Sequence, residues 1–129
     1  MTPVEVCLGY LAAFATGDPE AVAAFVTDDF VNEHLAALGS GCVGRDEYRR
    51  RLPGFLASMP GLRYDVNDPH RDVIAQDDRV CVGYVLHANV GGTPVQVPGV
   101  MRFEVRGDRI ARRVDCWDSL VFQRQVGQA

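Results

Sequence analysis

The sequence predicts an α+β fold in which three N-terminal helices pack on a strongly curved antiparallel sheet. Three observations carry this expectation. Apolar residues recur at helical spacing over roughly the first sixty positions. From Leu62 onward they alternate, in runs rich in β-branched and aromatic residues. Turn residues punctuate that second half at Asp77-Asp78, Gly91-Gly92 and Gly107-Asp108. Helices followed by a meander of strands is the order of a sheet with its helices on one face. A bend at Pro98-Gly99 would wrap the sheet around one pocket, with the helices over its concave side.

Thr2-Pro3 opens the first helix, with a hydroxyl cap and proline at the first helical position. Val6, Tyr10, Ala13 and Phe14 form its apolar stripe, and Gly17 ends it. Asp18-Pro19 caps a second helix carrying Ala21, Val22, Phe25 and Val26 to about Thr27. Asp28-Asp29 reads as a turn, and Phe30 to Leu35 as a short strand with Phe30, Asn32 and His34 on one face. The loop Gly39-Ser40-Gly41 leads to Gly44-Arg45-Asp46, which starts a third helix. Its stripe is Tyr48, Leu52, Phe55 or Leu56, and Met59, and Pro53 should kink or split it. Leu62, Tyr64 and Val66 alternate as a strand. Val80 to Asn89 and Val95 to Val105 form a hairpin, with a bulge or bend expected at Pro98-Gly99. The closing strand runs from Arg109 to Phe122.

Composition narrows the functional classes. With 129 residues, 47% of them hydrophobic, the chain reads as one domain spanning 1–129. A net charge of −4 argues against nucleic acid as a partner, and Arg49-Arg50-Arg51 reads as a solvated helix face. No run is apolar and long enough to span a membrane, and the first residues lack a secretory signal's basic start and apolar core. The expected compartment is therefore the cytoplasm. Cys7, Cys42, Cys81 and Cys116 are widely spaced without a C-x-x-C pair, so neither a zinc site nor a disulfide framework is expected. His34, His70 and His87 lack ligand spacing, and no glycine-rich phosphate motif is present. The expectation is no metal and no cofactor.

The chemistry concentrates in the closing strand. Strand parity puts Arg113, Asp115 and Trp117 on one face and Val114, Cys116 and Asp118 on the other. A carboxylate beside an indole suits a lined cavity, where one does proton chemistry and the other packs on a flat substrate. Asp115 has two readings: a base whose pKa rises in an apolar cavity, or a structural partner that Arg113 keeps ionised. His34 titrates near neutrality and can give or take a proton. Tyr10 either donates a hydrogen bond to a developing enolate or is plain core. Tyr84 and Trp117 either line the cavity or fill it.

Tyr10-x6-Gly17-Asp18-x2-Ala21, Asp28-Asp29, Gly44-Arg45-Asp46 and the closing Asp115-Cys116-Trp117-Asp118 resemble the nuclear transport factor 2-like superfamily. Within it the resemblance is to ketosteroid isomerases, SnoaL-type polyketide cyclases and limonene-epoxide-hydrolase-like enzymes. It covers nearly the whole chain and implies a cone-shaped α+β barrel. It also implies roles by position. Tyr10 falls where the isomerases place an oxyanion-hole tyrosine, His34 where they place the general base, and Trp117 on a pocket tryptophan. Gly99 stands where they place a protonated aspartic acid, so their oxyanion hole of tyrosine and neutral aspartic acid does not transfer intact. Asp115 matches the catalytic aspartate that closes the epoxide-hydrolase motif and the acidic residue of the cyclases. The arginine and aspartate of the epoxide hydrolases' earlier strand match Val82 and Tyr84.

The functional expectation is a cofactor-independent acid/base enzyme of isomerase or cyclase type. Its substrate would be a hydrophobic cyclic or polyketide-like small molecule. His34 and Asp115 would be the acid/base pair, with Tyr10 the electrophilic stabiliser. Trp117, Tyr84, Arg113, Met101, Phe103 and Phe55 are the expected substrate-binding residues. Two alternatives stand beside it: a non-catalytic small-molecule or partner-binding module, and an epoxide hydrolase or cyclase in which Asp115 activates the nucleophile. Val100, Val114 and Cys116 lie on the parity opposite the pocket and would form an apolar patch. The expected assembly is therefore a sheet-to-sheet homodimer.

Overall fold

The computed structural model describes residues 1–128. Thr2 opens helix α1 (Pro3–Ala13) with a capping box: Glu5 N–H donates to Thr2 Oγ1, and Thr2 N–H to Glu5 Oε1, both at 3.1 Å. A 3-10 turn (Phe14–Thr16) follows, closed by Gly17 at a left-handed φ of 70°. Asp18 caps the short α2 (Pro19–Ala23). Strand β1 (Val26–His34) leads through the two-residue β2 (Cys42–Val43) to α3 (Arg45–Ser58). Then come β3 (Arg63–Asp65), the short helix α4 (Pro69–Asp72) and β4 (Val73–Gln76). The long strands are β5 (Arg79–Val90), β6 (Thr93–Arg106) and β7 (Arg109–Trp117), followed by helix α5 (Ser119–Gln125).

The expected helices, meander and curved sheet are present, and the sheet order is β2-β1-β7-β6-β5-β3, with β4 also on β5. It is mixed rather than wholly antiparallel, because β1 runs parallel to β7. A direction of pairing is dictated only where a hairpin joins two strands; β1 and β7 are joined through the rest of the chain. The sheet is also open, with β2 at one edge and β3 at the other. Val95, Met101, Phe103 and Val105 of β6 face inward and form one core with Val6, Tyr10, Phe14 and Leu52 of the helical layer.

Five features differ from the sequence reading, which also lacks β2, α4, β4 and α5. Helix α2 stops at Ala23, and Asp28-Asp29 lies inside β1 rather than in a turn. The register jumps there: Val26 is opposite Ile110, but Val31 is opposite Arg112. The two aspartates occupy the irregular stretch and bond arginines, Asp28 with Arg45 and Asp29 with Arg106. Helix α3 is not split at Pro53, which sits on its exposed side, where water can satisfy the carbonyl that proline leaves free. No register shift falls at Pro98-Gly99, where Val85 pairs with Pro98 and Tyr84 with Gly99. The bulge is instead at Ala111: Val105 pairs with Ile110, but Glu104 pairs with Arg112. One extra residue there lets both Ile110 and Arg113 face inward. Finally, β7 ends at Trp117 rather than Phe122, because the Asp118 carboxylate accepts from Val121 N–H at 3.0 Å and starts α5.

Candidate functional site

The register between β1 and β7 builds the site. Asn32 is opposite Arg113, and His34 is opposite Asp115, with all four side chains on the inner face. Next door, β6 and β5 put Gly99 opposite both Trp117 and Tyr84. These side chains form one wall of a cavity of about 300 Å³. The opposite wall is apolar, from Phe14, Leu52, Phe55 and Met59, and Phe122 of α5 lines the same space. A cavity of this size, apolar with a few convergent polar groups, is what a small-molecule site requires.

Asp115 is the hub and is 3% exposed. Its Oδ1 accepts from Tyr84 Oη at 2.6 Å and its Oδ2 from Arg113 Nη2 at 3.0 Å. Arg113, 4% exposed, donates from Nη1 to Asn32 Oδ1 at 3.0 Å and from Nε to Met101 Sδ at 3.4 Å. Its guanidinium also lies 5.9 Å from the centre of the Tyr10 ring. Burial works against this cation. Its surroundings, Tyr10 and Asp115 first, outweigh burial and hold its pKa well above the ordinary value. The cation of the pair thus survives at any working pH, and the carboxylate keeps a fixed partner.

Gly99 makes the Tyr84–Asp115 bond possible. A Cβ there would stand 2.3 Å from Tyr84 Oη and 2.5 Å from its Cζ. The tyrosine ring therefore crosses over the glycine to reach the carboxylate. Burial, then Asp115 itself, pushes the Tyr84 pKa upward, so its hydroxyl stays a proton donor.

His34 is held from two sides. Its Nδ1 accepts from the Trp117 indole N–H at 3.3 Å, and Asp115 Oδ2 is 3.8 Å from the same nitrogen. Behind it, a Cβ on Gly39 would come within 2.2 Å of the His34 Cβ, so only glycine lets the loop pack this closely. Burial lowers the His34 pKa below 6.5, and nearby Arg113 lowers it further against the pull of Asp115. The imidazole is therefore neutral at neutral pH.

The expected site residues separate into two groups. Asp115, His34, Trp117, Tyr84, Arg113 and Phe55 line the cavity together. Tyr10, Met101 and Phe103 are fully buried in the core and are not among its lining residues. Tyr10 faces Phe14, Phe25 and Phe103 edge to face, and its hydroxyl bonds that of Tyr48. Tyr48 is the one of the pair that reaches the cavity, and burial raises its pKa to about 12. Helix α1 lies behind the site rather than over it, which is why its stripe supplies core.

Sequence reading missed Asn32, Tyr48 and Arg51. Asn32 shares a strand face with His34, and that parity was the available signal. With its Oδ1 turned to Arg113, its amide N–H groups are left for the cavity. Arg51 is not merely solvated: it lines the cavity and ties α3 to the Gly41 carbonyl at 2.8 Å. The arginine that bonds Asp115 is Arg113, two residues before it on the same strand. Among the described residues, no His, Cys, Asp and Glu cluster fit to hold a metal occurs. No helix there is long and apolar enough to cross a membrane.

Comparisons with known proteins bear on the family and the fold. A family model of SnoaL-like domains matches residues 8–113. A protein of ketosteroid isomerase-like fold from Catenulispora acidiphila DSM 44928, solved with trimethylamine, superposes with a TM-score of 0.85 at 20% identity, covering 100% of this chain and 96% of that one. An epoxide hydrolase from M. tuberculosis, similar to limonene epoxide hydrolase, superposes at 0.80 with 20% identity, over 98% and 90% of the chains. TerC, co-crystallised with polyporic acid, superposes at 0.79 with 21% identity, over 97% and 98%. At these identities the likeness shows the fold. No curated protein matches the sequence. The family match covers most of the chain, and the chain belongs to the SnoaL-like domains of the nuclear transport factor 2-like superfamily.

Proposed function

We propose that this chain is a cofactor-independent acid/base enzyme acting on a hydrophobic, cyclic or polyketide-like small molecule. The step is proton abstraction next to a carbonyl, followed by isomerisation or ring closure. The observation that carries the reading is the pairing of His34 with Asp115 across β1 and β7, both lining one mostly apolar cavity. Asp115 takes the proton, since both its oxygens are acceptors and lie at the cavity wall. Neutral His34 donates to the substrate's carbonyl oxygen and stabilises the enolate as it forms. Tyr10 contributes through its hydroxyl bond to Tyr48, which lines the cavity. Flat aromatic walls at Trp117, Phe55 and Tyr84 hold the ring system. Two structural neighbours were solved with small ligands, trimethylamine and polyporic acid, which supports small-molecule binding on this fold.

A second reading is favoured by the Arg113 and Tyr84 bonds to Asp115. A carboxylate steadied by two donors also suits holding and deprotonating water for epoxide opening. In either reading residues 1–129 act as one domain, and a homodimer is the working assembly.

The test is kinetic. Ligands found by quenching of the single Trp117 are assayed for turnover with the unmutated protein, Asp115→Asn and His34→Ala. Each variant should lose about two to four orders of magnitude in kcat while ligand affinity changes little. A protein that binds ligands and turns over neither ketones nor epoxides is the binding module instead.

A further inference from the structure

Trp117 does more than wall the cavity. A tryptophan N–H can only donate, so the atom it meets must be a lone pair. Its partner is His34 Nδ1 at 3.3 Å. A proton on that nitrogen would set two donors against each other. The competing influence is Asp115 Oδ2, 3.8 Å from the same nitrogen, which by itself favours a proton there. That separation is beyond hydrogen-bond reach, and the oxygen already accepts from Arg113 at 3.0 Å. The indole therefore decides the tautomer. Nε2 has no protein partner among the described residues, and the tight approach of Gly39 behind the His34 Cβ limits rearrangement of the side chain.

We propose that Trp117 is a positioning residue for His34: its indole N–H fixes the imidazole as the neutral tautomer with the proton on Nε2. This rests on the acid/base reading above and sharpens it. His34 then meets the substrate as a hydrogen-bond donor, and Asp115 alone serves as the base. The charged groups facing the ring are Arg113 and Asp115 of β7. Arg113 disfavours a second proton, Asp115 favours it, and the Trp117 bond adds to the side of Arg113.

The experiment is nitrogen NMR on the full chain labelled at histidine and tryptophan. Only three histidines and one tryptophan are present, and a His34→Gln sample assigns the His34 signals. In the unmutated protein at pH 8, Nε2 should carry the proton and Nδ1 should show the shift of an unprotonated acceptor. A through-bond coupling should join Trp117 Nε1 to His34 Nδ1. Trp117→Phe should raise the ratio of the Nδ1–H to the Nε2–H tautomer by about fivefold, the effect of one lost neutral hydrogen bond. It should also raise the His34 pKa, because a bond available only to a deprotonated Nδ1 has gone. A proton found on Nδ1 in the unmutated protein, or an unchanged ratio in Trp117→Phe, overturns the proposal. The coupling needs no variant, so misfolding of Trp117→Phe leaves the proposal testable: its absence also overturns it. None of these signals depends on turnover, so failure of the acid/base reading shows separately, as lack of activity.

Discussion

At Asp115 one carboxylate faces the cavity while accepting from Arg113 and Tyr84, and its proposed catalytic role can be separated from its structural one. Asp115→Asn keeps the shape but leaves a buried guanidinium without its carboxylate. Losing one partner of such a pair costs about 3–5 kcal/mol. Urea denaturation should therefore show a clear loss of stability alongside the loss of turnover. Adding Arg113→Gln should restore much of the stability and none of the activity; full recovery of both would reduce Asp115 to an anchor. His34 gives a pH signature. Its folded pKa lies below the ordinary 6.5, so the unfolded chain binds that proton more tightly. The penalty is absent above about 6.5, grows as pH falls toward the folded pKa, and levels off below it. His34→Gln removes this contribution. Between pH 8 and pH 5 the variant should lose less stability than the unmutated protein, and equal losses would contradict the lowered pKa.

Among the elements, the pairing of β6 with β5 and β7 depends on what is missing at Gly99. Alanine in place of glycine inside a strand usually stabilises, by roughly 0.5–1 kcal/mol. Here the added methyl would collide with the Tyr84 ring and hydroxyl, so Gly99→Ala should destabilise by about 1–3 kcal/mol. Thermal melts check the sign, and a rise in Tm would refute the crossing of Tyr84 over Gly99. The sequence marked Gly99 for a bulge or bend; the register has no bulge there, and the glycine admits the close approach of Tyr84. Likewise Asp118 read as a continuation of the closing strand, since no local signal separates a helix cap from one more strand residue. The helix it starts is held by Gln125, whose amide both accepts from Gln96 N–H and donates to its carbonyl, each at 2.8 Å. Gln125→Ala should speed amide exchange in α5 while leaving β7 protected; unchanged exchange would mean that Phe122 packing alone holds the helix.

For the whole molecule, most elements were legible in the sequence, but β2, α4, β4 and α5 were not, and neither was the assembly. Capping residues, alternation and glycine turns are local signals, so Thr2-Pro3, Asp18-Pro19 and Gly91-Gly92 mark boundaries correctly. The parallel neighbours β1 and β7 are far apart in the chain, and no local residue encodes that they touch. That pairing nevertheless brings His34 to Asp115, and parity on each strand had already turned both inward. Tyr10 shows the reverse failure: its resemblance suggested a pocket residue, but the depth of α1 behind the cavity leaves Tyr48 in front. The outer sheet face is also less apolar than parity implied. Val100 is 51% exposed and Cys116 is exposed, but Val114 is already buried within the chain. If that face carries the proposed homodimer, Val100→Lys should convert it to monomer in light scattering, and a monomeric unmutated protein would remove the proposal. In the proposed reaction Asp115 removes a proton beside a carbonyl in this cavity. Deuterium exchange into a bicyclic ketone, 2-tetralone, in D₂O, followed by NMR once Trp117 quenching has established binding, isolates that step. Exchange next to the carbonyl should run well above the buffer rate and fall about two to four orders of magnitude in Asp115→Asn. Exchange at the buffer rate with ligand bound, or an Asp115→Asn variant that keeps the full rate, would contradict the proposed reaction.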